Sequence, residues 1–546
     1  MTIVLDRRTL GRIGTLAMLA SALGAWPAAA QQPEKKPVPG GSLTWGLENE
    51  PTTLNPHIHN LAKTKLLIRN VYEPLLSRTK EGDYVPWLAT GYTVSDDGKT
   101  YTFTLRKDVK FTDGQPFNAE AVALNFTEAA KVEYTAALST GPIRYLESAR
   151  AIDDHTVELK LKEPYAPFLF FATALEFISP AAFKAPNLKA GGPEIAGTGP
   201  FILDKYVKGQ EITYRKNPDY NWAPDNAAHQ GPAYLDSVTY RFLPESSVRV
   251  GALTSGQVDA IEGISGNDAE LFKDTADYIY LTALNGGTPF TLYFNVASGI
   301  GSDIRIRKAL VAALDIDTVL KSVYRGHRTR AWGLNTPIDT LFYDAGIENT
   351  YGNDPALANK LLDEAGWTER DADGIRKKDG QRLTLDVVQS QSVLRDQRDV
   401  LLLALQAQAR QNAGIDLRIA YVDSGTHSER RKKGAFTLIG NSNTAGDGYG
   451  LEIHYLPLDR GGRNNFNGTA TPEQTQWLLE AAAIQDLKKR FELYAKLQRH
   501  VLLENAYSLP LYISEDQIAA ASHVKGVGFR PFHQLVENAY DTWIDR

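Results

Sequence analysis

Ser95-Asp96-Asp97-Gly98-Lys99-Thr100-Tyr101-Thr102-Phe103-Thr104-Leu105-Arg106 alternates large apolar residues with threonine after a turn signal, as a half-buried strand does, because successive side chains point to opposite faces. With Tyr92-Thr93-Val94 upstream, Asp96-Asp97-Gly98 supplies the glycine turn of a hairpin. Short strands of this kind continue to about Pro180.

Before the hairpin, Gln31 to Gly41 reads as a Pro/Gly/Lys linker and Ser42 to Gly46 as a first strand, and a helix is expected over 62–76. Beyond Gly197 strands mix with helices. These are expected at Ile304 to Tyr324, at Asp354 to Ala365 with Asp354 as cap and Gly366 past the end, and at Val393 to Asn412. Thr471-Pro472-Glu473-Gln474 is a capping-box start for a helical region reaching about Asn505, broken near Ala483. Strand material returns at Leu509 to Ile513.

The first thirty residues read as a targeting segment: Arg7, Arg8 and Arg12, then a short apolar stretch, then Ala28-Ala29-Ala30 as a cleavage site. Arg7-Arg8 resembles a twin-arginine export signal, with an ordinary secretory signal as the alternative. A periplasmic location is expected. The chain has no cysteine, so neither a disulfide nor a lipid-anchored cysteine is available and no membrane anchor is expected. About 500 residues after cleavage exceed one hydrophobic core. A net charge of −6 without a basic block argues against nucleic acid.

Fragments that suggest catalysis fail on spacing. Gly98-Lys99-Thr100 lacks the glycine of a phosphate loop, since position 93 is Thr, and it lies in a hairpin. Gly446 to Gly450 lacks the glycine offsets of a dinucleotide site, and there is no Gly-x-Ser-x-Gly or His-Glu-x-x-His. His57 and His59 share a face if extended but have no third ligand at diagnostic spacing. No enzyme, metal site or cofactor is expected.

Ordered segments carry a resemblance: Leu54-Asn55-Pro56, Val71-Tyr72-Glu73-Pro74-Leu75, Pro86-Trp87-Leu88-Ala89, the hairpin above, Val109 to Pro116, Gly197-Thr198-Gly199-Pro200-Phe201, Leu253 to Asp259, Arg305 to Leu310 and Leu361 to Trp367. Together they resemble the peptide/nickel class of extracytoplasmic solute-binding proteins that serve ABC importers (family 5). The resemblance implies an α/β fold of the two-lobed periplasmic-binding-protein type II kind, with a hinge and an inserted domain. Lobe I would comprise 42–76, 197–286 and 512–546, the inserted domain 77–196 and lobe III 287–511. It also implies a monomer that takes a small-molecule or peptide ligand between lobes I and III and presents it to the permease subunits.

The scaffold is most similar to nickel-binding members, yet where those carry carboxylate-holding arginines this chain has Glu176 and, roughly, Thr135. A Glu facing the cleft welcomes an amine rather than a carboxylate. By comparison with peptide-binding members, Asp447 is expected to hold an ammonium group and Tyr449 to cover the ligand. Arg463 is expected to meet a carboxylate and Asn465 to give a neutral hydrogen bond, while Trp45 and His59 fall near the cleft by family position. A small peptide or peptide-like, amine-bearing solute is therefore favoured over a nickel or other metal chelate, with a secreted hydrolase as a remote alternative.

Overall fold

Ala89–Val94 pairs antiparallel with Thr100–Leu105, and Gly98 makes the turn with φ 69°. The computed structural model describes residues 36–59, 63–79, 81–131, 133–134, 141–266, 268–338, 342–444, 447–465, 467–529 and 539–545. The leader and Thr135 lie outside these. The hairpin is half of a four-stranded antiparallel sheet completed by Leu146–Asp153 and Thr156–Leu161. Its inner face holds Tyr101, Phe103, Leu105, Val157, Leu159 and Leu161, all buried, each contributing about 1.5–3 kcal/mol by leaving water. Helix Ala119–Ala129 covers this sheet, with the Asn118 side chain accepting from Ala121 N at 2.9 Å.

Two larger sheets carry the rest. The first has seven strands in the order Tyr278–Leu284, Glu515–Ala521, Ala260–Glu262, Ser42–Leu47, Ser237–Phe242, Glu211–Lys216, Phe201–Val207. The second has six, in the order Thr329–Arg330, Ser508–Ile513, Thr288–Phe294, Leu438–Asn443, Thr384–Ser390, Asp416–Val422. The chain passes between these sheets at 285–287 and again at Ser514. The crossings are neighbours: Leu284 faces Glu515 on one side, Phe290 faces Tyr512 on the other, and Asn285 N donates to Ser514 O at 2.8 Å. This is the hinge of the two-lobed fold. A boundary at 512 would cut the strand Ser508–Ile513, so the crossing falls two residues later. Gly287 needs to be glycine here, with φ 89° and no room for a Cβ, which would lie 2.3 Å from Asn443 O.

Several expected helices differ in extent, each for a local reason. Of the helix expected over 62–76, Thr64–Ile68 forms, and position 62 lies outside the described residues. The backbone after it bonds elsewhere: Val71 O accepts from Gly199 N (2.8 Å), Glu73 O from Phe177 N (3.0 Å) and Leu75 O from Ala89 N (2.9 Å). Residues 304–324 form two helices, Ile304–Ala313 and Ile316–Tyr324, because the Asp315 side chain accepts from Thr318 N and starts a new one. The capping box at Thr471 and Gln474 is present, and Asp486 caps the second helix, Leu487–Arg499, after the break. Arg398–Ala413 begins five residues later than Val393 and ends at Gly414, φ 68°.

The resemblance segments meet in the interior. Glu73 is fully buried and accepts from Trp87 Nε1 (3.2 Å), Thr198 Oγ1 (2.8 Å), Tyr220 Oη (2.5 Å) and Trp222 Nε1 (3.1 Å). Burial pushes its carboxyl up to about 7 despite these four bonds. Gly197 and Gly199 flank Thr198 because a Cβ at either would lie 2.1 Å from Val71 O or 2.5 Å from Asn70 O.

Candidate functional site

A cavity of about 560 Å³ opens between the two large sheets at the hinge. Lobe I contributes Leu47 and Asn49 to Thr52 at the end of the first strand, Lys63 and Thr64 at the short helix, and Glu262. The hinge gives Asn285, Gly286 and Ser514, and lobe III gives most of the remainder. This size suits a drug-sized or oligopeptide-sized solute.

Charge is distributed unevenly around the wall. Lys63, Arg395, Arg398, Arg431 and Arg463 line it, against Glu50 and Glu262. Glu50 already accepts from Tyr206 Oη (2.6 Å) and Gly209 N (2.8 Å), and Glu262 lies 3.6 Å from Lys63 Nζ. The arginines fall into two groups.

The first group stands on the turn before helix Arg398–Ala413. Arg395 and Arg398 both donate to Ser442 Oγ, at 3.3 and 3.0 Å, and Arg398 Nε donates to Tyr512 Oη at 2.9 Å. Its guanidinium lies 4.0 Å from the Phe290 ring centroid. Asp396 sits among them; burial pushes its carboxyl up, but Arg328, Arg395 and Arg398 prevail and hold it far below the usual range. Asp396 and Gln397 both take left-handed backbone, φ 54° and 52°. This conformation costs non-glycine residues about 1–2 kcal/mol each, so the turn that aims these arginines is held under strain.

The second group forms where helix Ser424–Lys432, helix Tyr449–Tyr455 and the following loop meet. His427 and Arg431, four residues apart, lie on one helix face and line the cavity together. Arg431 Nη2 donates to Arg463 O (3.3 Å) and to Asn464 Oδ1 (3.2 Å), which brings the two arginines to one place. His454 stacks on Tyr293 at 4.4 Å with planes 6° apart, and its buried Nε2 has no hydrogen-bond partner among the described residues. Burial, then Arg431 and Arg463, lower the imidazole to about 3, so it is neutral at pH 7. Burial and Arg431 depress His427, and burial and Arg463 depress Arg431. Positive charge accumulates here.

Of the residues singled out from the sequence, Arg463 lines the cavity. The structure places the other six elsewhere. Trp45 is buried in the lobe I core, 6.2 Å from the Tyr240 ring. His59 is buried in a turn, its N donating to Asn55 O; this turn, rather than an extended strand, also separates it from His57, whose Nε2 meets Glu176 O at 2.9 Å. No metal-binding group of three or more His, Cys, Asp or Glu occurs among the described residues.

Glu176 is fully enclosed and contacts Lys65 Nζ and Arg69 Nε, the latter at 2.7 Å. Burial pushes its carboxyl up, yet Lys65, Arg69 and His59 overcome this and hold it at about 2. Asp447, φ 54°, is buried against Arg490. Both carboxylates are thus matched by the protein's own cations and neither lines the cavity. Tyr449 is buried with its edge on Phe171, and its ring lies 5.9 Å from the Arg463 guanidinium and 6.0 Å from that of Arg144. It lies against Arg463 and does not itself line the cavity. Asn465 braces the loop, donating to Leu456 O (3.0 Å) and accepting from Thr469 Oγ1 (3.0 Å).

Sequence reasoning passed over Arg395, Arg398, Arg431, His427, His454 and Tyr293. The one legible signal was the spacing of His427 and Arg431 on a helix, hidden in the run Glu429-Arg430-Arg431-Lys432-Lys433 that reads as a solvated face.

Comparison with known proteins places this geometry. Residues 83–463 match the family described as bacterial extracellular solute-binding proteins, family 5 Middle. Protein XP55 of Streptomyces lividans is 31% identical over 517 residues, covering 92% of this chain and 90% of that one. The nickel-binding periplasmic protein of Escherichia coli K12 is 30% identical over 404 residues, 71% of this chain and 72% of its own. The crystal structure of NikA from Brucella suis with Fe(III)-EDTA superposes with a TM-score of 0.77 at 26% identity, covering 91% of this chain and 100% of that one. No helix among the described residues is long and apolar enough to cross a membrane.

Proposed function

Because this chain belongs to the bacterial extracellular solute-binding proteins of family 5, substrate-binding components of ABC importers, we propose that it captures a small carboxylate-bearing, peptide-like solute and presents it to the permease in the periplasm. The observation that carries the ligand reading is the cavity of about 560 Å³ at the hinge, with five cationic side chains in its wall against two carboxylates. An anion that touches both lobes binds the closed form more tightly and shifts the population toward it, by no more than its difference in affinity for the two forms. No bond is made or broken. Arg395, partly exposed in the wall, offers a planar fork to a carboxylate, while the nitrogens of Arg398 already donate to Tyr512, Val393 and Ser442; Lys63 approaches from lobe I, and hinge groups such as Asn285 Oδ1 and Ser514 Oγ, buried without hydrogen-bond partners among the described residues, await polar atoms of the solute. Delivery to the permease as a freely diffusing monomer, with the leader removed near Ala30, belongs to the same proposal.

A second reading is a metal held by a carboxylate-rich chelator. His427 and His454 in the wall favour it, as does the likeness to proteins named for nickel and crystallised with Fe(III)-EDTA. Native mass spectrometry of the gently purified protein, set against a denatured sample, separates the two. Short acidic peptides released on denaturation support the first reading; a stoichiometric metal with an organic acid supports the second; loss of only basic or neutral solutes defeats both.

A further inference from the structure

Where the chain crosses between the lobes, the cavity is lined by uncharged side chains. Asn285, Thr336 and Ser514 stand there, 6%, 1% and 8% exposed. Backbone bonds bring them together: Asn285 N donates to Ser514 O at 2.8 Å, and Thr336 N donates to Gly287 O at 2.9 Å, two residues further along the same crossing. These backbone groups are paired, yet Asn285 Oδ1, Thr336 Oγ1 and Ser514 Oγ are buried without a hydrogen-bond partner among the described residues. The neighbouring hydroxyl of Thr288 shows the ordinary outcome, donating to Asn443 O at 3.3 Å. A single unpartnered polar atom is a cost that a fold can carry. Three around one hinge, all in residues that line one cavity, mark a place for atoms from outside the chain.

The surroundings define what those atoms are. The Asn285 side chain donates to the buried Asp516 carboxyl, which occupies its amide nitrogen and leaves Oδ1 as an acceptor. The two hydroxyls can donate or accept, so an entering group completes the set only if it brings a hydrogen to Oδ1. A carboxylate has none to bring, and it would meet the Oδ1 lone pairs beside the Asp516 carboxyl. An ammonium gains little, because Lys63 and Arg395 already attend the Asp516 charge. We propose that the hinge seat of Asn285, Thr336 and Ser514 selects a solute that carries an uncharged hydrogen-bond donor, a hydroxyl or a carboxamide, in addition to its carboxylate. This rests on the receptor reading above and deepens it by naming a second group of the solute.

Calorimetric titration of the full chain with two matched pairs of tripeptides tests this: Ala-Gln-Ala against Ala-Met-Ala, and Ala-Thr-Ala against Ala-Val-Ala. Within each pair the shape is nearly kept and the side-chain donor is lost. In at least one pair the donor-bearing member is expected to bind about tenfold more tightly or better, and the pair that shows it tells carboxamide from hydroxyl. Ser514→Ala and Thr336→Val bring that ratio close to one. They also leave the thermal unfolding midpoint of the solute-free protein unchanged or higher, since a buried hydroxyl without a partner loses no bond on removal; a purely structural hydroxyl would lower it. Ratios of one in both pairs overturn the seat and leave the receptor reading standing. An advantage that survives both substitutions also overturns it, as does tighter binding of Ala-Glu-Ala than of Ala-Gln-Ala and Ala-Thr-Ala. Binding of none of the five peptides by the unaltered protein defeats the receptor reading for small peptides, and the seat with it. The ratios are read on unaltered protein, so a variant that fails to fold leaves the inference open to refutation.

Discussion

Around Glu176 one carboxylate is shut away with Lys65 and Arg69, whereas around His454 two arginines converge on a neutral imidazole at the edge of a cavity. Both regions gather cations in poorly hydrated surroundings. In the first, the complement to the charge comes from the chain itself and is enclosed, so the cluster contributes to the fold. In the second, Arg431 and Arg463 stand in a wall that opens on the cleft, where an entering solute can add to the contacts the chain makes. The contrast explains why a glutamate at a position of functional interest is a poor guide to the ligand until its partners are known.

The contrast is sharpest in the response to losing one cation. Arg69→Leu removes a buried partner of Glu176 and is expected to destabilise the protein by about 3–5 kcal/mol, read from urea unfolding. An effect under about 1 kcal/mol would erase the distinction between the two regions.

Acidity separates the interior carboxylates in opposite senses. Glu73, raised to about 7, contributes most below its unfolded value near 4.5 and loses that contribution as pH rises through 7. The loss amounts to about 3 kcal/mol, and Glu73→Gln removes it. Glu452, raised by burial to about 7, adds a change of the same sign. Glu176, held at about 2, behaves the other way: its contribution is present above 4.5 and is lost as pH falls through 2. Unfolding free energies at pH 5 and pH 8 check the first; a Glu73→Gln protein with the same fall as its parent would refute the assignment.

The smallest effect is expected in the cleft. Arg431→Gln alters a cavity-lining side chain on a helix with no buried residue and changes stability by about 1 kcal/mol or less, in either direction. A loss comparable with that of Arg69→Leu would mean that Arg431 is part of the scaffold.

The scaffold was legible where the cause is local. The turn at Gly98, the cap at Asp354 and the capping box at Thr471 each act within four residues, and the alternation from Tyr101 to Leu105 states its buried face directly. The short helix at Thr64 was overestimated because its continuation bonds to residues more than a hundred positions away, through Gly199 and Phe177. The site was less legible for the same reason. Glu176 meets Lys65 and Arg69 across 111 and 107 residues, a pairing that no periodicity announces. Arg463 could be placed by its polar loop, while Arg431 sat in a charge run whose helix buries none of its residues.

The hinge has a consequence for how such a chain is assembled as a gene product. Thr288 to Ile513 is one unbroken cassette whose first and last strands are neighbours in its own sheet, and the host strands ending at Leu284 and beginning at Glu515 already face each other. Removing the cassette leaves a gap that a tight hairpin turn closes, and the excised piece has its two ends side by side. An exchange of this half of the binding wall would cut no strand of the other half, and what it would have to preserve is the shared packing of Tyr449 on Phe171 and the bond of Tyr165 Oη to Glu452.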